Sequence, residues 1–309
     1  MTADTNSTKE KYLIAIVGPT AIGKTALSIK LAQHFKTEII SGDSRQFYKE
    51  LQIGTAVPSE EELNAAKHHF IQHRSINNNY NVGDFEKDAI SKINTLFKYY
   101  DVLIIVGGSG LYIDAIIKGL DDFPEVDKKI REDLNTQLEN KGLSHLQNRL
   151  KELDPISYQN IAINNPHRVI RALEICIVTK KPYASFLNKE KRKRPFKTIF
   201  VGLTADRDVV YSRINKRVDN MMESGLLEEV KQLEPKKHLN ALNTVGYKEL
   251  FQYLEGTISL EFAVNEIKKH TRRFAKRQLT WFRKNEAILW FDYKTNTKKI
   301  IEFIQKNIS

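Results

Sequence analysis

Short apolar runs alternate with amphipathic stretches along the first 120 residues. Tyr12–Val17 is an unbroken apolar run rich in strand formers. It passes into a glycine-bearing turn and then into apolar positions Leu27, Ile29, Leu31 and Ala32 on a helical pattern, which predicts strand, loop, helix. A second strand is predicted over 37–41, running into Gly42 and Asp43. A third, over 101–106, runs into Gly107-Gly108-Ser109-Gly110. Helical spacing fills 60–69 and 85–100. This alternation implies a doubly wound parallel sheet, whose ligands sit beyond the carboxyl ends of the strands. All three glycine-bearing loops fall at that edge.

From residue 121 to about 195 the strand pattern disappears. Helical spacing covers 128–140, 142–150, 157–163 and 167–179, punctuated by Asp154-Pro155 and Asn165-Pro166. A strand returns at 198–203. A mostly helical pattern then covers 208–233, 247–254 and 260–285, with a short strand at 287–291. A helical block between strands of one sheet predicts an insertion, closed by the basic run Lys189, Lys191, Arg192, Lys193 and Arg194. The expected organisation is an α/β core in two parts, 11–120 and 196–309, around an all-helical domain at 121–195. Residues 1–10 read as a disordered lead-in.

Composition removes several classes. The 309 residues are 41% hydrophobic and 28% charged, as in an ordinary globular protein. Cys176 is the only cysteine, which excludes a disulfide framework and a cysteine zinc site and leaves it a core residue. His68 and His69 are adjacent and point apart on a helix, so with His73 they predict polar packing rather than a metal site. No apolar run approaches the ~20 residues that cross a bilayer, and the polar N-terminus lacks a secretory signal's apolar stretch. A cytoplasmic monomer is expected.

The charge changes the picture once it is located. Residues 1–120 carry 13 Lys and Arg against 13 Asp and Glu, so the whole net charge of +11 lies in 121–309. Within it, 268–284 holds eight Lys or Arg and no acid. Arg273, Lys276, Arg277, Arg283 and Lys284 recur at helical spacing, with Phe274, Trp281 and Phe282 as an apolar face. Arg168 and Arg171 form a second basic pair. A neutral first part and a basic remainder suit small-molecule chemistry beside a polyanion.

The strongest chemical signal is Gly18-Pro19-Thr20-Ala21-Ile22-Gly23-Lys24-Thr25, which satisfies the nucleotide-binding pattern G-x-x-x-x-G-K-[ST] in its strand-to-helix setting. Its backbone N–H groups, the helix dipole and Lys24 suit phosphate oxygens, and the Thr25 hydroxyl suits Mg²⁺. A kinase or NTPase usually adds an Asp at the end of a neighbouring strand, whereas the third strand here ends in Gly-Gly-Ser-Gly. The loop could therefore cradle a departing diphosphate instead of transferring a phosphoryl group. Asp43, the one acid at the ligand edge, could support Mg²⁺, cap a following helix or act as a general base, with Gln46 orienting an acceptor. Arg213 and Arg217, four apart on one predicted helix, could neutralise a departing diphosphate or pair at the surface with Asp206 or Asp208.

Taken in order, GPTAIGKT, DSRQFY followed by IGTA, VGGSGLY, DP then NPHRVIRALE, VGYKE and AKRQLTWFR resemble the bacterial tRNA dimethylallyltransferases, also called tRNA isopentenyltransferases. The resemblance spans about Lys11 to Arg283. It implies a P-loop NTPase-like core with an inserted helical domain, Mg²⁺, and transfer of the dimethylallyl group of dimethylallyl diphosphate to the exocyclic amine of the adenosine 3′ of the anticodon. The partner it implies is a tRNA anticodon stem-loop, whose adenine flips into a channel. It makes Gly18 through Thr25 the diphosphate site, Asp43 the base, and Ser109 and Arg217 further catalytic groups. Asp43, Ser44, Arg45 and Gln46 become tRNA contacts, as do His167, Arg168, Arg171, Lys276, Arg277, Gln278 and Arg283. The chain departs from the family pattern at Ile22 (usually Ser), Ser109 (Thr), His167 (Gln) and Val57 (Lys). An adenylate-specific prenyltransferase would leave the basic helix unexplained. A P-loop kinase would leave Asp43 unexplained, and a nucleotide-switched RNA-binding protein would leave DSRQ unexplained.

Overall fold

Tyr12–Val17 forms the first strand, β1, buried along its whole length. The computed structural model describes residues 9–187 and 193–308. Residues 1–8 of the lead-in, and Lys189, Lys191 and Arg192 of the basic run, lie outside the described residues. After β1 come α1 (Lys24–Phe35), β2 (Ile39–Ser41), α2 (Glu60–Ala65), β3 (His68–His69), α3 (Val82–Leu96), β4 (Val102–Val106) and α4 (Gly110–Lys118). Next follow α5 (Lys128–Leu153), α6 (Pro155–Asn160) and α7 (Pro166–Thr179). The chain then runs through β5 (Lys197–Thr204), α8 (Arg207–Glu223), α9 (Leu226–Leu233), α10 (Tyr247–Leu254), α11 (Leu260–Phe282), β6 (Leu289–Asp292) and α12 (Thr297–Asn307).

Among the described residues the strands pair in parallel in the order β3-β2-β4-β1-β5-β6. Alternation along β1 sends Tyr12, Ile14 and Ile16 to one face, with Leu31, Ile214 and Ile304 of α1, α8 and α12. Leu13, Ala15 and Val17 go to the other, with Phe85, Ile93 and Ile113 of α3 and α4. Helices on both faces are what an all-parallel sheet requires, and they explain why β1 is continuously apolar. Val218 of α8 joins Leu226, Val230, Leu250 and Ile267 of α9–α11 in a further helical core.

The chain divides into two compact units, 1–118 with 194–309, and 119–193. The second is helical, with Leu134, Leu146 and Leu150 of α5 packed on Val169, Leu173 and Cys176 of α7. Gly142 (φ 76°) breaks α5 where the sequence separates 128–140 from 142–150. In the first unit Arg194, the last residue of the basic run, pairs with Glu86 at 2.6 Å and donates to the Ala115 carbonyl at 2.7 Å. Among the described residues no helix is long and apolar enough to cross a membrane.

Several expectations are corrected. Lys9 and Glu10 are tied down, Lys9 pairing with Asp101 and Glu10 accepting from the Tyr12 hydroxyl at 2.6 Å and pairing with Lys197. The helix expected over 60–69 opens on a Ser59–Glu62 capping box but ends at Ala65, where Ala66 is extended. His68 and His69 then pair with Ile39 and Ile40 as β3. Their packing is partly polar: His68 Nδ1 meets the Ala66 carbonyl at 2.7 Å, and His69 meets Glu38. The single helix expected over 208–233 is two, because Gly225 (φ 97°) adopts the left-handed conformation that glycine tolerates. Phe282 is buried in the core and takes no part in an exposed apolar face, which leaves Phe274 and Trp281.

Candidate active site

The loop from β1 to α1 curls because Ala21 (φ 63°) and Gly23 (φ 109°) take left-handed conformations. Lys24, first residue of α1, folds back and donates to the carbonyls of Gly18 (3.0 Å) and Pro19 (2.7 Å). Burial pushes its ammonium down to about 7, a shift opposed by the charge of Asp43 and deepened by that of Arg217. The first turn of α1 holds no acid that would compete for an anion. In front of the loop lies a cavity of about 290 Å³ whose walls include Gly23, Lys24, Thr25, Ser41, Asp43 and Arg217.

A second cavity of about 560 Å³ opens beside it, lined by Ser44, Ser109, Tyr112, Met221, Phe274 and Trp281 among others. Asp43, Thr55 and Arg217 line both cavities. The half-buried Asp43 carboxylate accepts the Arg45 backbone N–H on Oδ1 at 3.1 Å, and Oδ2 has no hydrogen-bond partner among the described residues. No helix follows Asp43, only turns, so the capping alternative fails. Ser109 Oγ lies 3.3 Å from Ser44 Oγ. A carboxylate with one free oxygen, next to two hydroxyls and two cations, is equipped to take a proton close to a bound anion.

The two arginines of α8 separate. Arg217 donates to the Thr20 hydroxyl at 3.3 Å, and burial, with Arg213 beside it, lowers its guanidinium below the ordinary arginine value. Arg213 turns outward, donating to the Ala21 carbonyl at 2.7 Å and stacking over Tyr293. Among the described residues neither forms an ion pair with Asp206 or Asp208.

Three expected tRNA contacts line the cavities, Arg45 and Gln278 the larger one and Gln46 that of the loop, and are also hydrogen-bonded within the protein. Arg45 spends its guanidinium on the carbonyls of Asn240 (3.2 Å) and Ala241 (2.9 Å). Gln46 donates to the carbonyls of Thr55 (3.2 Å) and Ala56 (2.9 Å). Gln278 is buried, accepting from the Thr20 N–H at 2.8 Å and donating to the Gly108 carbonyl at 2.9 Å. In each case polar atoms of the side chain also satisfy backbone groups of the protein. Arg171 is half-buried, bonded to Glu174 at 3.2 Å and stacked over Phe123, while His167 and Arg168 are exposed on the first turn of α7.

The basic stripe of α11 also divides. Lys268 pairs with Asp219, Lys269 with Glu266, and Arg272 donates to Asn215 at 2.7 Å. Arg273, Lys276, Arg277, Arg283 and Lys284 are exposed and have no ion-pair partner among the described residues. Gly108 and Gly110 allow this helix to close on the β4–α4 loop, since a Cβ there would stand 2.2 Å from Gln278 and 2.3 Å from Trp281. The Trp281 indole N–H donates to Asp114 at 3.0 Å.

Glu229 was missed. Its carboxylate accepts the N–H groups of Gln52 (3.1 Å), Ile53 (2.7 Å) and Gly54 (3.1 Å) and the Tyr247 hydroxyl at 2.6 Å. It thereby joins IGTA to VGYKE and fixes Thr55, and the only available signal was those two motifs, since a lone Glu on a helix carries none. Glu229→Ala is expected to cost about 2–4 kcal/mol by orphaning these donors, measured by denaturant unfolding.

Among the described residues no group of three or more His, Cys, Asp or Glu could hold a metal ion. The hydroxyls of Thr25 and Ser41 and the Asp43 carboxylate do share the loop cavity. One carboxylate with hydroxyls suits Mg²⁺, which takes the rest of its shell from water and substrate phosphates, and does not suit zinc.

Known proteins fall in line with this geometry. The family model described as IPP transferase matches residues 46–285. The chain is 60% identical to the tRNA dimethylallyltransferase of Flavobacterium johnsoniae, covering 96% of this chain and 98% of that one. It is 61% identical to that of Christiangramia forsetii, covering 96% and 99%. Among solved structures it is similar to the tRNA isopentenylpyrophosphate transferase of Bacillus halodurans, with 38% identity, 97% of each chain and a TM-score of 0.72. It is also similar to a eukaryotic dimethylallyltransferase acting on tRNA, with 29% identity, 96% and 80% coverage and a TM-score of 0.80. With its P-loop core and a family match over most of its length, the chain belongs to the IPP transferase family, the tRNA dimethylallyltransferases.

Proposed function

We propose that this chain transfers the dimethylallyl group of dimethylallyl diphosphate to the exocyclic N6 of the adenosine 3′ of the anticodon, giving N6-dimethylallyladenosine and diphosphate. The observation that carries this is the sharing of Asp43 and Arg217 by the phosphate-loop cavity and its neighbour. Diphosphate lies on the loop N–H groups, Lys24 and Arg217, and the flipped adenine enters from the second cavity. Thr25 and Ser41 are the protein groups that would hold Mg²⁺, with water and substrate phosphates completing its shell, and it would supply positive charge to the diphosphate oxygens.

The chemistry needs both sides. An adenine amine is a poor nucleophile because its lone pair is delocalised into the ring. The allylic carbon compensates by gaining cationic character as its C–O bond breaks. Lys24 and Arg217 stabilise the negative charge that accumulates on the leaving oxygen. As the C–N bond forms, the N6 proton becomes acidic and passes to the free oxygen of Asp43. Ser44 and Ser109 stand beside that carboxylate and orient the purine. His167, Arg168, Arg273, Lys276, Arg277 and Arg283 contact the phosphate backbone of the anticodon stem-loop, and Arg171 supports the α7 pair.

The test is incubation with labelled dimethylallyl diphosphate and unmodified tRNA, AMP or neither. Label on tRNA alone is expected, and label on AMP or none on tRNA would sink the proposal. Replacing Arg273 and Arg277 together by Ala is expected to lower the slope of log affinity for tRNA against log salt by about 1.4–1.8. An unchanged slope, read by filter binding at several salt concentrations, would remove this helix from the RNA interface.

A further inference from the structure

On α11 the exposed cations Arg273, Lys276 and Arg277 surround a residue of opposite behaviour. Gln278 is 5% exposed and both ends of its amide are used. Its Oε1 accepts the N–H of Thr20, within the phosphate loop, at 2.8 Å. Its Nε2 donates to the carbonyl of Gly108, in the loop after β4, at 2.9 Å. Thr20 also receives Arg217 on its hydroxyl, at 3.3 Å. Gly108 directly precedes Ser109, whose hydroxyl meets that of Ser44 at 3.3 Å next to Asp43. One planar amide therefore joins the loop that grips the anion to the loop that carries the acceptor-side hydroxyl. The approach is as close as glycine permits, since a Cβ on Gly108 would stand 2.2 Å from Nε2.

A side chain that must accept at one loop and donate to the other has few alternatives. Glutamate in its ionised form offers two acceptors and would repel the Gly108 carbonyl. Asparagine is one methylene shorter and cannot span both loops from the same backbone position. Methionine has the length and neither function. The amide also withdraws the Thr20 N–H from the set of donors that an anion in the loop could use, so toward the donor its part is to shape that loop, while the side chain itself lines the larger cavity.

We propose that Gln278 is a positioning residue for the prenyl donor: it sets the separation between the phosphate loop and the Ser109 loop, on the buried face of the helix that presents its cations outward. This rests on the proposed prenyl transfer and assigns Gln278 to the donor side rather than to tRNA.

The two assignments predict opposite kinetics. Gln278→Met is expected to raise KM for dimethylallyl diphosphate at least tenfold at saturating tRNA, while the Kd for tRNA alone stays within twofold of wild type. Gly108→Ala displaces the amide from the other end and is expected to raise the same KM. Because both act through one linkage, the double variant is expected to be no worse than the poorer single variant. The inference is overturned if Gln278→Met weakens tRNA binding and leaves the donor KM unchanged, if neither parameter moves, or if the two substitutions multiply. Circular dichroism of each variant reports folding, and if Gln278→Met does not fold, Gly108→Ala decides by the same split between KM and Kd. A wild-type enzyme that leaves tRNA unlabelled would remove prenyl transfer itself and the inference with it. A wild type that labels tRNA beside variants with unaltered donor KM removes the inference only.

Discussion

Asp43→Asn will leave tRNA bound and bring prenylation nearly to a halt, lowering kcat by about 10²–10⁴-fold. The substitution is isosteric, and the amide oxygen can still accept the Arg45 N–H that Oδ1 accepts at 3.1 Å, so the turn after β2 persists. What disappears is a basic oxygen at the junction of the two cavities. Without it, the proton of the alkylated amine has only water to leave to, and the reverse collapse onto the allylic carbon competes. Filter binding measures the first half of the expectation, and single-turnover transfer of labelled prenyl the second. Normal single-turnover rates would remove Asp43 as the base. Equal losses of rate and tRNA affinity would instead make it a recognition residue.

The parts of this site that were legible in the sequence are those written in short-range pattern. The run Tyr12–Val17, the glycine spacing of the phosphate loop and Lys24 declare a strand, an anion-binding turn and a helix within fourteen residues. The doubly wound sheet follows from repetition of that unit. What pattern does not carry is the destination of a polar side chain. Arg45, Gln46 and Gln278 line the cavities, yet each also holds carbonyls or N–H groups brought close by other parts of the chain. The distinction between binding a ligand and bracing a loop is tertiary. Edge strand β3 escaped for a similar reason. Two residues of histidine have no strand signature, and only pairing with Ile39 and Ile40 makes them one. Gly225 was visible but ambiguous, since a glycine inside a helical pattern is tolerated at about 1 kcal/mol unless its φ is positive.

Lys24→Met is expected to weaken diphosphate binding about 10²–10³-fold and to erase a proton uptake that the wild type shows. Burial places the Lys24 ammonium at about 7 in the free protein, well below the ordinary lysine value. Below that pH the group is already charged and an arriving diphosphate binds without moving a proton to Lys24. Above it the lysine is neutral, and binding an anion must draw a proton from solvent. The contribution of Lys24 to affinity should therefore be constant below pH 7 and fall by up to about tenfold per unit as pH rises above it, until the pKa of the complex is reached. Asp43 holds the ammonium up and Arg217 pushes it down, so Asp43→Asn should shift the onset of uptake to lower pH and Arg217→Ala to higher pH. Calorimetry of inorganic diphosphate binding at pH 6 and pH 8, in buffers of different ionisation enthalpy, counts the protons directly. The same titration of Lys24→Met subtracts those taken up by the ligand itself. An uptake at pH 8 that is equal in the two proteins would mean that Lys24 stays charged in the free loop, and that the junction of Lys24, Asp43 and Arg217 is tuned by something other than burial.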